Sequence, residues 1–104
     1  MYAAKIIGNV VSTCKERKME GFKLLIVQPV NLVTLKEEGK PVVAVDAVGA
    51  GENELVLVVA GSSARQTDVT NNKPVDAAIS GVIDYINIGQ KRVFDKARDN
   101  VSLL

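Results

Sequence analysis

Apolar residues in this chain fall into short runs separated by breaks rich in glycine, proline and charge. Residues 3–11 alternate in part, carrying Ile6, Ile7, Val10 and Val11 around Gly8. This predicts a strand, with a bend or a close backbone approach at the glycine. Residues 12–21 are polar and charged and read as a hairpin-like loop. Residues 22–30 form a second strand pattern, which Pro29 either ends or confines to an edge because it has no N–H to donate. Residues 31–40 fit neither periodicity and run into a turn at Glu38, Gly39, Lys40 and Pro41. Residues 42–48 are β-branched enough for a third strand. After a break at residues 49–54, residues 55–60 are apolar without interruption, which implies a strand buried on both faces.

The second half is less regular. Gly61, Ser62 and Ser63 precede good helix formers, the pattern of an N-cap and a short helix. Asn71, Asn72, Lys73 and Pro74 make a turn. Residues 75–86 satisfy two patterns: Val75, Ala78, Ile79, Val82, Ile83 and Ile86 fall at helical spacing, while Ile79, Gly81, Ile83 and Tyr85 alternate as in a strand. Local pattern leaves both open. Asn87 to Gln90 reads as a turn and residues 91–96 as a last strand. The expected result is one mainly all-β domain over residues 1–96, with five or six short strands in a barrel or sandwich. Residues 97–104 are left as a tail, frayed or docked on a neighbour.

Composition narrows the chemistry. The 104 residues contain no histidine and one cysteine, Cys14, with a net charge of +1. Nucleophile systems that need an imidazole, a histidine metal ligand, an internal disulfide and a four-cysteine zinc site are all excluded. Near-neutral charge argues against nucleic acid as a partner. No run approaches the roughly 20 apolar residues of a membrane span, and no targeting segment is evident, so a cytoplasmic protein is expected. Neither a cofactor nor a catalytic residue is expected.

Four groups of residues are candidates for chemistry. Gly49, Ala50 and Gly51 lack the helix and third glycine of a dinucleotide fingerprint, and they read as a glycine turn whose backbone approaches another chain or takes positive φ. Asp46, Asp76 and Asp84 have no companion motif and are expected to be exposed, to cap a turn or to pair with a base such as Arg65. Tyr2, Phe22, Tyr85 and Phe94 are widely spaced and fit core packing better than a base-stacking face. Ser62, Ser63 and Arg65 are different, because small residues at a helix start expose N–H groups beside two hydroxyls and a guanidinium. Such a segment binds an anion, rings a polar pore when repeated about an axis, or simply caps a helix.

Five segments in series (residues 8–15, 21–28, 45–51, 61–65 and 75–84) resemble the EutN/CcmL family, the pentameric vertex proteins of bacterial microcompartments and carboxysomes. The resemblance covers residues 5–96. It implies a small OB-like β-barrel with a short helix after Gly61, assembled as a homo-pentamer that caps the vertex of a polyhedral shell and meets hexameric shell proteins. It also implies no catalysis, a strand over residues 78–85, and a pore region at Ser62, Ser63 and Arg65. Gly49, Ala50 and Gly51 become an inter-subunit turn. An OB-like module for single-stranded nucleic acid or an anionic ligand is the alternative.

Overall fold

Six apolar residues in succession need cover on both sides of a strand, and residues 55–60 obtain it at the wall of a closed barrel. The computed structural model describes residues 1–12, 23–61, 64 and 76–104. In chain order these residues form β1 (Tyr2–Val10), β2 (Leu24–Pro29), β3 (Val42–Asp46), β4 (Leu55–Ala60), β5 (Ala77–Val82), β6 (Tyr85–Ile88) and β7 (Lys91–Asp95). The first five close in the order β1-β2-β3-β5-β4, and β6 and β7 form a separate hairpin. Neighbours in the barrel are antiparallel except β3 and β5, which run parallel through Val45↔Ala78 and Asp46↔Ile79. Closure removes the sheet edges that an open five-stranded sheet would present.

A barrel of five strands has a narrow lumen, so small and β-branched side chains fill it. Ala4, Ile6, Leu25, Val27, Ala44, Val56, Val58 and Ile79 form this inner cluster. Alternate residues point outward, and two patches of the outer wall are covered. Val45, Val59 and Ala78 pack with Ala64 over one. Over the other, Ala3 and Leu55 lie under Val30, Leu35, Ile83, Phe94 and Val101. The unbroken run of β4 thus serves two cores at once: Val56 and Val58 face the lumen, and Leu55 and Val59 face the two outer covers.

The hairpin is the larger cover. A two-residue connection turns it, with Gly89 at φ 62°, the position that a primed hairpin turn reserves for glycine. Phe94 is fully buried beneath it. A backbone bond of 2.8 Å from Ile83 N–H to the Leu55 carbonyl holds the root of the hairpin on the barrel, and one of 2.8 Å from Lys96 N–H to the Asp84 carbonyl extends the hairpin's own ladder. Lys96 Nζ also meets Glu54 Oε2 at 2.8 Å, while Glu54 Oε1 accepts from Gly51 N–H at 2.7 Å. The bond from Lys96, and then that from Gly51, hold the Glu54 carboxyl below the usual glutamate range.

The tail is ordered against its own barrel. Asn100 caps a single 3-10 turn, Val101–Leu103, and Val101 is buried against the barrel. Lys5, itself nearly buried, donates from Nζ to the main-chain oxygen of Leu104 at 3.1 Å and pairs with Glu37 at 2.9 Å. One ammonium therefore fastens both the tail and the loop after β2. That loop replaces the ambiguous stretch of the sequence. Asn31 Oδ1 accepts from Val33 N–H and Thr34 N–H, and Leu35 is buried at φ 61°, which leaves Leu32 and Val33 exposed.

Of the two patterns open for residues 75–86, strand holds over residues 77–82. The continuous strand expected through Tyr85 is interrupted at Ile83 and Asp84, where the chain leaves the barrel for the hairpin. Residues 87 and 88, expected in a turn, continue β6. The short helix expected after Gly61 lies outside the described residues, apart from Gly61 and Ala64.

Replacing Phe94 with alanine removes the main contact between hairpin and barrel. Urea denaturation is expected to register a loss of about 3–5 kcal/mol. Glu54 gives the fold an acid-sensitive tie. Because its folded pKa is depressed, its contribution is complete above the unfolded glutamate value and is lost as pH falls through the folded value. A Glu54→Gln variant is expected to lose part of the native chain's decline in melting temperature on acidification; an unchanged acid limb would contradict this.

Candidate assembly surfaces

The turn after β3 is built around one carboxylate. Asp46 Oδ1 accepts three backbone bonds, from Val48, Gly49 and Ala50 N–H at 3.0, 3.0 and 3.1 Å. Lys23 Nζ approaches Oδ2 at 3.6 Å and donates to the Ala50 carbonyl at 2.9 Å. Gly49 stands at φ 76°, where a side chain would strain the backbone, and Ala50 is buried in the barrel cluster. Of the three residues read from sequence as an inter-subunit turn, Ala50 is thus an inward anchor. The outward apolar contact is Val48, 43% exposed. Asp46 itself acts as the cap that was one of the readings for it.

Ser62, Ser63 and Arg65 lie outside the described residues, as do Cys14 and Phe22. Of the other aromatics, Phe94 is core and Tyr2 packs partly against the lumen cluster. Tyr85 departs from the expected core role. Its ring is 55% exposed, with the Arg92 guanidinium 4.1 Å from its centroid. Arg92 is aimed by Asn87 Oδ1 at 3.1 Å and Asp95 Oδ2 at 3.2 Å, and its carbonyl accepts from Arg98. The hairpin therefore carries a stacked cation and ring facing outward. No sequence signal marked it, because Tyr85 and Arg92 meet only once β6 and β7 pair.

Two apolar surfaces also emerge from the fold. One is a shallow, mainly apolar groove of about 410 Å³ beside the hairpin, walled by Leu32, Leu57, Val82, Ile83, Tyr85 and Ile86 together with the acidic Asp84. The other is a set of exposed side chains on β1, β2 and β3. Between Ile6 and Gly8 the register of β1 against β2 slips by one residue, and this bulge turns Ile7 outward, 49% exposed. Across the sheet Gly8 faces Ile26, and Ile26 faces Val43, which is 48% exposed. The bend anticipated at Gly8 is this bulge. Two consecutive isoleucines before a glycine, in an alternating strand, were its trace in the sequence.

The chain matches the family described as ethanolamine utilisation protein EutN/carboxysome over residues 1–84. It is 42% identical over 103 residues to the carboxysome shell vertex protein CcmL of Synechocystis sp., covering 95% of this chain and 98% of the relative. The structure of CcmL from Nostoc sp. superposes with a TM-score of 0.86 at 41% identity, over 91% of this chain and 99% of that one. The pentameric microcompartment shell protein GrpN from Rhodospirillum rubrum superposes with a TM-score of 0.75 at 43% identity, over 85% and 100%. A closed barrel with its hairpin, matched along nearly its whole length by such proteins, belongs to the EutN/CcmL family.

Proposed function

We propose that this chain is a structural protein of a bacterial microcompartment shell, forming the pentameric cap at its vertices. The observation that carries the reading is the end-to-end likeness to proteins named shell vertex proteins, among them one solved as a pentamer. The role is geometric. Flat tiles cannot enclose a volume, and units of five-fold symmetry supply the curvature at the corners. Each protomer must then present two different surfaces, one to each flanking copy, in a contact that closes after five steps. The barrel suits this, because its strands have no free edge along which copies could pair without limit. The alternative, a binding module for nucleic acid or an anion, draws no support from the relatives, which are named for shells.

Residues 1–96 form the unit that assembles, and residues 97–104 brace it through Val101 and Leu104 rather than extend it. The turn at Gly49, Ala50 and Gly51 lies at the contact between copies, with Asp46 fixing its shape and Val48 reaching outward. Ser62, Ser63 and Arg65 line the opening on the five-fold axis, where five copies bring ten hydroxyls and five guanidinium groups together. The outer rim of the ring meets hexameric shell proteins. No catalytic group takes part.

Light scattering on the purified chain is expected to give the mass of five copies; a monomer persisting across a wide concentration range would defeat the reading. Replacing Ser63 with tryptophan is expected to keep the ring of five and alter packing or passage at its axis. A tryptophan found on the outer rim, with assembly unchanged, would remove the pore assignment while leaving the vertex role in place.

A further inference from the structure

Among the described residues the two buried polar side chains are Lys5 and Gln28, and they stand directly opposite each other across β1 and β2. Residues so paired share a face of the sheet, and both of these are committed to the loop after β2. Gln28 Nε2 donates to the carbonyls of Pro29 and Gly39 at 3.1 Å each, which closes the base of that loop. Lys5 Nζ reaches Glu37 Oε1 on the same loop at 2.9 Å and the main-chain oxygen of Leu104 in the tail at 3.1 Å. A buried ammonium is tolerated only while it is paired, and here one partner belongs to the tail. Loop and tail also share one apolar cluster, in which Leu35 of the loop lies with Val101 and Leu104.

Leu35 is the strained member of this cluster. It stands at φ 61°, a left-handed conformation that leucine adopts at a cost and keeps only where its surroundings hold it. Two things hold it here: the 2.8 Å bond from its N–H to the Asn31 carbonyl, and the burial of its side chain. The tail has less to hold it down. One buried valine, a partly buried leucine and a single 3-10 turn are set against the ordering of residues 97–104. A segment so lightly fastened opens far more readily than the barrel unfolds.

We infer that residues 97–104 act as a clasp: docked, they keep Leu35 in its strained turn through Lys5 and the shared cluster, and released, they let the loop relax. Release takes the Leu104 oxygen from Lys5, so the ammonium turns to water and its hold on Glu37 weakens. It also removes Val101 and Leu104 from the cluster that buries Leu35. The left-handed turn then loses its support, and the exposed Leu32 and Val33 at the loop tip move with it. Leu32 is one wall of the groove beside the hairpin, so the clasp sets the profile of that surface. Coupling of this kind runs both ways, and whatever fixes the loop tip also holds the tail down. The device is complete within one protomer and does not rest on the ring reading.

Val101→Ser in the full chain removes the apolar plug of the tail. By NMR the Leu104 methyl resonances are expected to move towards unfolded-chain positions. Hydrogen exchange is expected to quicken at least about tenfold at the Leu35 and Glu38 amides, whose bonds close the loop, and to stay unchanged at Val56 and Val58 in the barrel. The reciprocal arm is Asn31→Ala, which removes the two acceptor bonds of a side chain whose partners all lie within the loop. There the Leu104 methyl resonances are expected to move as well. Lys5→Met keeps the stem and deletes the charge, and it is expected to free loop and tail together; it is the variant to read if either of the others fails to fold or to release its segment. Loop amides that keep their native rate once the Leu104 methyls report a released tail overturn the inference. So do Leu104 methyls that stay put in Asn31→Ala while the loop amides quicken.

Discussion

The fold depends on a five-stranded barrel being too narrow to bury its own strands. Its lumen accepts alanines, valines and a few larger aliphatics, and half of every strand faces outward. Cover for that outer wall comes from outside the barrel: Ala64 on one patch, and the hairpin, the loop after β2 and the tail on another. Part of the wall, at Ile7 and Val43, keeps about half of its side-chain surface exposed. The same constraint fixes where the accessory elements sit.

Polar groups set the shape of the pieces that the apolar clusters cannot. Asp46 gathers three amide donors into one turn, Asn31 gathers two into another, and Lys5 draws a loop and the tail to one point. Each is a small side chain or a single charge satisfied on several sides, as burial demands. Rigid turns on a closed barrel suit a protein whose product is a shape. An element that must present the same profile to each neighbour gains from a backbone that does not adapt.

Much of this was legible in the sequence. The run at residues 55–60 announced a strand covered on both faces, and the breaks at glycine and proline placed β1 to β4 and β7 to within one or two residues. Residues 75–86 were not decidable, because a sheet that turns a corner at Ile83 and Asp84 mixes the two periodicities. The docking of the tail on its own barrel was not legible, because Val101 and Leu104 are too few apolar positions to make a pattern. Tyr85 with Arg92, and the groove beside them, depend on contacts across strands that no local window contains. The glycine turn was recognised, but its inward anchor at Ala50 and the three-fold acceptor role of Asp46 were not, since both follow from the path of the backbone.

The parallel seam between β3 and β5 has a bearing on how the molecule comes apart. Only two register pairs hold it among the described residues, against four or more at each other junction in the barrel. Its partners are separated in the chain by the whole of β4. Opened there, the cylinder becomes a curled ribbon with β3 and β5 as raw margins, and the lining valines come into contact with water. Keeping that short seam paired is therefore what keeps the cylinder closed.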